Sequence, residues 1–299
     1  MTRQKSMTNH AKLNSLAAKS AICVAGILVT GKLVAWALTN ALSIQASLID
    51  SLLDVGASVI NFFAVKHAVR PADEEHRFGH GKLEAIASLG QSIFIAASAL
   101  WLLIDCFHRL YRPEIIERSF VGNGVMIVAV FLTMALVFFQ RYVYKQTKSL
   151  AIKADSLHYQ ADFLTSAAVL VSLNVSTYLS LFSIDSLIGG VIAVYIAATS
   201  WSIFKQALDQ LMDRELPLEE VERIYSIVRS IPNVLEIHDL RTRSSGYTQF
   251  IQMHLDLDPN LSLLEAHTIS NQVMCKLRHT FPTAEILIHQ DPFGFDNDH

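Results

Sequence analysis

A chain of 299 residues that is 52% hydrophobic, only 17% charged and of positive mean hydropathy (+0.35) is too apolar for an ordinary soluble protein of its size, so membrane insertion is the first reading. The net charge of −3 says little by itself, and no nucleic-acid partner is expected. Cys23, Cys106 and Cys275 are scattered and form no CxxC pair, so neither a disulfide framework nor a zinc-thiolate site follows.

Residues 1–15 are polar and read as a cytoplasmic N-terminal tail. The first apolar run, Leu16–Leu38, is too long for a signal-peptide core and is predicted as span 1, with Lys19 and Lys32 towards its ends able to snorkel. A tight turn at Thr39–Leu42 leads to span 2, Ser43–Ala68. The charged segment Val69–Lys82 is broken by Pro71, Gly79 and Gly81 and reads as a loop. Span 3, Leu83–Phe107, contains the small-residue stretch GQSIFIAASA, which suits close helix packing. After a loop at His108–Phe120, span 4 is predicted at Val121–Tyr142, span 5 at Ala151–Leu181 and span 6 at Asp185–Leu208. Each is long enough for a hydrocarbon core of about 30 Å. Lys and Arg in short loops set the orientation. Arg3, Lys5, Lys12, Lys66, Arg70, Arg77, Lys82, Arg141, Lys145, Lys148 and Lys153 stand against Arg109, Arg112 and Arg118. Eleven against three puts both termini in the cytoplasm.

The membrane part is therefore expected over residues 16–208 and a cytoplasmic domain over 209–293. In the latter, Pro217–Ser230 reads as an amphipathic helix, Val234–Thr242 and Tyr247–Leu257 as strands joined at Ser244–Gly246, Leu261–His279 as a helix and Ala284–His289 as a strand. The order αββαβ predicts a small two-layer α+β domain. It has no glycine-rich phosphate loop, so no ATP site is expected. The acidic residues 294–299 are expected to be a disordered tail.

The chemistry centres on span 2, where Asp50 and Asp54 are four residues apart in SIQASLIDSLLDVGASV. They project from nearly the same side of a helix, one turn apart. A carboxylate at mid-bilayer costs about 2.5–3.5 kcal/mol even on the lenient insertion scale, so two on one face need a partner. Span 5 supplies one: His158 and Asp162 in ADSLHYQADFL repeat the spacing. Face to face, the four side chains offer three carboxylates and an imidazole, a set suited to tetrahedral zinc or a similar divalent cation. Metal needs a neutral imidazole and ionised carboxylates, so a proton and a cation compete for one site. The alternative is that these acids are protonated structural glue. Asp73, His76 and His80 in the loop form a second candidate, against which stands a plain solvated loop. A third is drawn from His238, Asp239, His254, His267, His289 and Asp291 of the cytoplasmic domain, against which stands a scatter of surface histidines. Asp105, Asp185 and Asp209 near span ends read as interfacial, and Gly189 with Gly190 as a close-packing site.

The segments SLIDSLLDVGAS, PADEEHRFGHGKLEAIA, KADSLHYQADFL, LMDRELP, HDLRTRSSG, FIQMHLDLD and ILIHQDP together resemble the cation diffusion facilitator family, over nearly the whole chain. The resemblance implies six spans with a metallochaperone-like cytoplasmic domain. It implies proton-coupled efflux of Zn²⁺, of Fe²⁺ as a second substrate and of Cd²⁺ as a mimic, across a bacterial inner membrane by alternating access. Asp50, Asp54, His158 and Asp162 would be the transport site, and Asp73, His76 and His80 the loop site. His238, His254, His267, His289 and Asp291 would form a two-metal cluster in a homodimer that Lys82 and Asp213 help to lock. Bound metal would be the only cofactor, membrane lipid the surrounding partner, and no enzyme activity is expected. A membrane metalloenzyme, a metal sensor and a transporter of a hard cation such as Na⁺ are the rival readings.

Overall fold

The computed structural model describes the backbone over residues 2–39, 42–111, 120–179 and 182–294, and side chains over 9–38, 45, 47–108, 124, 126–168 and 187–294. Asn40 and Ala41 of the first turn, Arg112, Arg118, the junction at 180–181 and the tail 295–299 lie outside the described residues, as do the side chains of Arg3, Lys5, Arg109 and Asp185. The chain divides into two compact units, His10–Leu208 and Asp209–His299 together with Met1–Asn9.

The membrane part contains α1 (Thr2–Thr39), α2 (Leu42–Ala68), α3 (Lys82–Tyr111), α4 (Phe120–Thr147), α5 (Leu150–Leu179) and α6 (Phe182–Leu211). Even α2, the shortest at 27 residues, reaches about 40 Å, beyond a bilayer core of about 30 Å. Among the described residues, five of the six are long and apolar enough to span on length and composition alone; α5 is not one of them. The first half of α5 carries Lys153, Asp155, His158 and Asp162, and Asp155, His158 and Tyr159 are buried. Thus α5 is the inner helix, packed against α2, α3 and α4. Small residues let backbones approach: Ala17 and Ala18 of α1 meet Val65, Val143, Ala151 and Ile152, and Ala99 of α3 and Ala207 of α6 flank Ala154 and Leu157. Trp101, Phe131, Phe138 and Trp201 point outward, as lipid contact requires.

Two sequence expectations are revised. The polar stretch before Leu16 continues helix α1 from Thr2. The loop expected between spans 4 and 5 shrinks to Lys148 and Ser149, because Lys148 takes φ +55° and its N–H bonds back to Tyr144 O at 2.7 Å. This left-handed residue ends α4 and turns α5 back beside it.

The second unit folds as α7 (Leu218–Arg229), β1 (Glu236–Ser245), β2 (Thr248–Leu257), α8 (Leu263–Thr280) and β3 (Glu285–Pro292), in the expected order. The sheet order is β1-β2-β3, with β1 antiparallel and β3 parallel to β2. The hairpin turn is Gly246–Tyr247, one step later than its SerSerGly signal, and Gly246 supplies the positive φ (+58°) that such turns need. Along β2, Met253, Leu255 and Leu257 are buried against Ile224, Val228, Val273 and Leu277 of the helices. The alternate residues His254 and Asp256 therefore face away from the helices. Ser262 and Glu265 form a capping box that starts α8.

Candidate metal centres

In the membrane unit, α2 and α5 bring Asp54, His158 and Asp162 together, with one ligand atom from each lying within 4.8 Å of the others. His158 Nε2 is 3.0 Å from Asp54 Oδ1 and 3.7 Å from Asp162 Oδ2. The imidazole is nearly enclosed: the Phe94 ring lies 5.9 Å from it and the Tyr159 ring 5.4 Å, both edge-on. Asp50, one turn from Asp54 on α2, is exposed and is not part of the group. Three of the four residues singled out by spacing are thus gathered.

A polar frame that spacing did not reveal surrounds them. Asp155, one turn before His158, is fully buried and accepts hydrogen bonds from Gln140 Nε2 at 2.6 Å and Gln91 Nε2 at 3.1 Å, so it ties α5 to α4 and α3. Glu84, also buried, accepts from Ser149 Oγ at 2.8 Å. Tyr159 OH pairs with Ser58 Oγ at 2.7 Å and donates to Ala21 O at 3.3 Å, joining α5 to α2 and α1. Lys32 does not snorkel: its Nζ donates to Ser51 Oγ at 2.6 Å and Ser47 O at 3.1 Å on α2. These bonds hold α2 and α5 in register around the acid–imidazole group.

The loop after α2 gathers Asp73, His76 and His80. Asp73 Oδ1 accepts from the backbone N–H groups of His76 (2.7 Å) and Glu75 (3.1 Å), a turn made by a short acidic side chain. Gly79 at φ +80° returns the chain, with its N–H on His76 O. His76 Nδ1 and His80 Nε2 then lie 3.4 and 3.3 Å from the two Asp73 oxygens. The His76 N–H, aided by the adjacent imidazoles, holds the Asp73 carboxyl below the usual carboxylate range.

In the cytoplasmic domain the register does the gathering. His238 pairs with His254 across β1 and β2, and His254 with His289 across β2 and β3, so the three histidines form a lateral row. Their rings are 5.1 and 4.7 Å apart. Asp291 Oδ2 is 2.7 Å from His254 Nδ1 and 3.7 Å from His238 Nε2, and its Oδ1 is 3.1 Å from His289 Nε2. Asp256, which the sequence reading passed over, lies 3.1 Å from His238 Nδ1 and fixes which ring nitrogen faces the cluster. A bulge after His238 puts Asp239 at φ +44°, with its Oδ2 3.9 Å from His254 Nε2. His267 is exposed on α8, and no described ion pair or hydrogen bond joins it to the row. Imidazoles around one carboxylate are a donor set that zinc accepts. Lys82 opens α3, and Asp213, at φ +56°, accepts from Arg243 Nη1 at 3.1 Å within the second unit.

Gly189 behaves as the close-packing site its sequence suggested, since a Cβ there would fall 2.6 Å from Cys106 Sγ; Gly190 has open space.

The model of the cation efflux transmembrane domain matches residues 18–212, and that of the cation efflux protein cytoplasmic domain residues 216–293. The chain is 45% identical over 283 residues to a cation-efflux pump FieF of Serratia proteamaculans, covering 95% of this chain and 94% of that one. It is 46% identical, with the same coverage, to a cation-efflux pump FieF of Yersinia pestis. A solved cytosolic domain of a cation diffusion facilitator family protein is 26% identical, covers 26% of this chain and 94% of its own, and superposes with a TM-score of 0.25. The match spans both units, and the chain belongs to the cation efflux family, whose members are multi-pass membrane transporters and not enzymes.

Proposed function

We propose that this protein exports divalent metal from the cytoplasm across the bacterial inner membrane, exchanging each ion for protons by alternating access. The observation that carries the reading is the Asp54–His158–Asp162 group, an imidazole between two carboxylates inside a bundle of apolar helices. Zn²⁺ is the favoured cargo, with Fe²⁺ also accepted and Cd²⁺ as a mimic, because mixed imidazole–carboxylate donors suit borderline cations better than Na⁺. Asp50, one turn along α2, completes the site as the fourth ligand when α2 shifts. Ligand protons must leave for the metal to bind, so loading and protonation exclude one another. That exclusion, with the helices rocking about the site, turns a proton gradient into metal export without ATP.

The loop residues Asp73, His76 and His80 hold a second ion. The cytoplasmic row His238, His254 and His289, closed by Asp291, holds further metal in a homodimer. His267 stands on the helix layer, away from the row, so it joins that cluster from the second copy. Both termini lie in the cytoplasm.

Sealed proteoliposomes with an imposed pH gradient test the reading. Zn²⁺, or Fe²⁺ under anaerobic conditions, should move against protons, and Asp54→Ala should abolish both fluxes while the protein melts as the parent does. Metal flux retained in Asp54→Ala, or metal flux without proton movement, would overturn it.

A further inference from the structure

A cavity of about 610 Å³ lies between α4, α5 and α6, and none of the three metal groups lines it. The two-residue junction between α4 and α5 builds its character. By turning α5 back alongside α4, it sets Lys153 on the same wall as Arg141 and Lys145. None of the lining residues is acidic, and none of these three cations forms an ion pair among the described residues. Their partners are neutral. Arg141 Nη2 donates to Gln160 Oε1 at 2.5 Å, and Gln160 Nε2 in turn donates to Tyr195 OH at 3.0 Å. Lys153 Nζ donates to Gln206 Oε1 at 2.7 Å and lies 5.5 Å from the centre of the Tyr144 ring. Such contacts orient two cations without cancelling their charge. Lys145 stands exposed beside them.

Three like charges around one concavity repel one another unless an anion sits among them. Most of the remaining wall surface is apolar, with Phe138 and Leu157 beside tyrosine rings, and Ser156, Gln160, Thr199 and Ser202 stand among them. A small hydrated anion would satisfy the cations and leave that wall unused. An anion that carries a hydrocarbon stem uses both, and the helices that line the cavity stand in the solvent that supplies one. We propose that this cavity binds an anionic phospholipid, with its phosphate among Arg141, Lys145 and Lys153 and an acyl chain along Phe138 and Leu157. The site does not depend on which metal the protein moves, or on proton coupling.

The test uses the full-length protein in micelles, with phosphatidylglycerol and phosphatidylethanolamine in equal amounts, and bound lipid counted by native mass spectrometry. Phosphatidylglycerol should be retained in preference. Replacing all three cations with glutamine (R141Q/K145Q/K153Q) should reduce that preference more than about tenfold, since each basic group near a phosphate is worth about fivefold. The charge-keeping set R141K/K145R/K153R should retain most of it. Lys145→Gln alone, at an exposed position that leaves packing intact, should lower it about fivefold and keeps the test decisive if the triple variant does not fold. An unchanged preference in the glutamine variants overturns the proposal. So does displacement of phosphatidylglycerol by an equal concentration of inorganic phosphate, which would make the cavity a free-anion site.

Discussion

Asp155 offers the sharpest test of how the bundle is held. It is fully buried, and two glutamine amides from different helices donate to its two oxygens. Asp155→Ala removes both acceptors at once. Hydrogen bonds inside membrane proteins average about 0.6 kcal/mol and reach about 1.7, so two lost bonds cost about 1–3 kcal/mol. The larger penalties for bare buried donors in soluble cores set the upper end. At about 2–4 °C per kcal/mol, the midpoint of unfolding should fall by about 3–10 °C. Asp155→Asn keeps the shape and one carbonyl acceptor. Its new amide can donate to Gln91 Oε1 or Gln140 Oε1, both buried and without a hydrogen-bond partner among the described residues. Turning one glutamine amide then restores both bonds, and the midpoint should stay within about 2 °C of the parent. Trp36, Trp101 and Trp201 all lie in the bundle, so tryptophan fluorescence during heating reports on this unit. Equal losses in the two variants would refute the reasoning, because charge rather than the pairing of donors and acceptors would then be what holds the helices.

Other perturbations follow from the same contacts. Gly189→Ala should cost about 1 kcal/mol through contact with Cys106 Sγ and be rescued by Cys106→Ala, whereas Gly190→Ala should be silent in the same melt; no rescue in the double variant would place the strain elsewhere. Asp256→Ala frees the His238 ring and should weaken zinc binding at the cytoplasmic row about 10–100-fold, measured by competition with a chelating dye in an Asp54→Ala background; unchanged affinity would remove Asp256 from the site. The Ser262 hydroxyl and backbone N–H hold the Glu265 carboxyl below its ordinary value of 4.5. A depressed acid stabilises the fold above its unfolded value, and that contribution is lost as pH falls through the folded one. Hydrogen exchange in the first turn of α8 should therefore quicken relative to the rest of the helix as pH drops below about 4.5, and Ser262→Ala should give the fast behaviour already at neutral pH; protection independent of both would show that the capping box contributes nothing.

The six helices and the αββαβ order were legible because apolar length and alternation are properties of single segments. The doubled four-residue spacing of ionisable groups was legible too, but the fold gathers only three of its four members: Asp54, His158 and Asp162. What escaped depends on tertiary partners. Asp155 sits in the same ADSLHYQAD segment as His158, and nothing in the segment separates a buried acid tied to amides from a ligand. Its partners lie 64 and 15 residues away. Lys32 looked like an end-of-span cation until α2 brought Ser47 and Ser51 beneath it. Asp50 shows the converse, because a shared helix face does not guarantee a shared site when the second helix reaches only one turn of it. Asp256 was hidden by strand alternation, which marks it as outward-facing but leaves open which neighbour it meets.

The lateral histidine row has a thermodynamic consequence for the domain that carries it. His238 lies on the first strand and His289 on the last, with β2 between them. An ion held across the row ties the two ends of the domain to one another only when all three strands are in register. Binding is then a vote for the folded sheet, and each tenfold rise in free metal above its dissociation constant adds about 1.4 kcal/mol to the cost of unfolding. The two outer strands, β1 and β3, each paired on one side only in this sheet, gain most from such a clasp. In a cell, the rigidity of this domain would follow the logarithm of the metal concentration that bathes it.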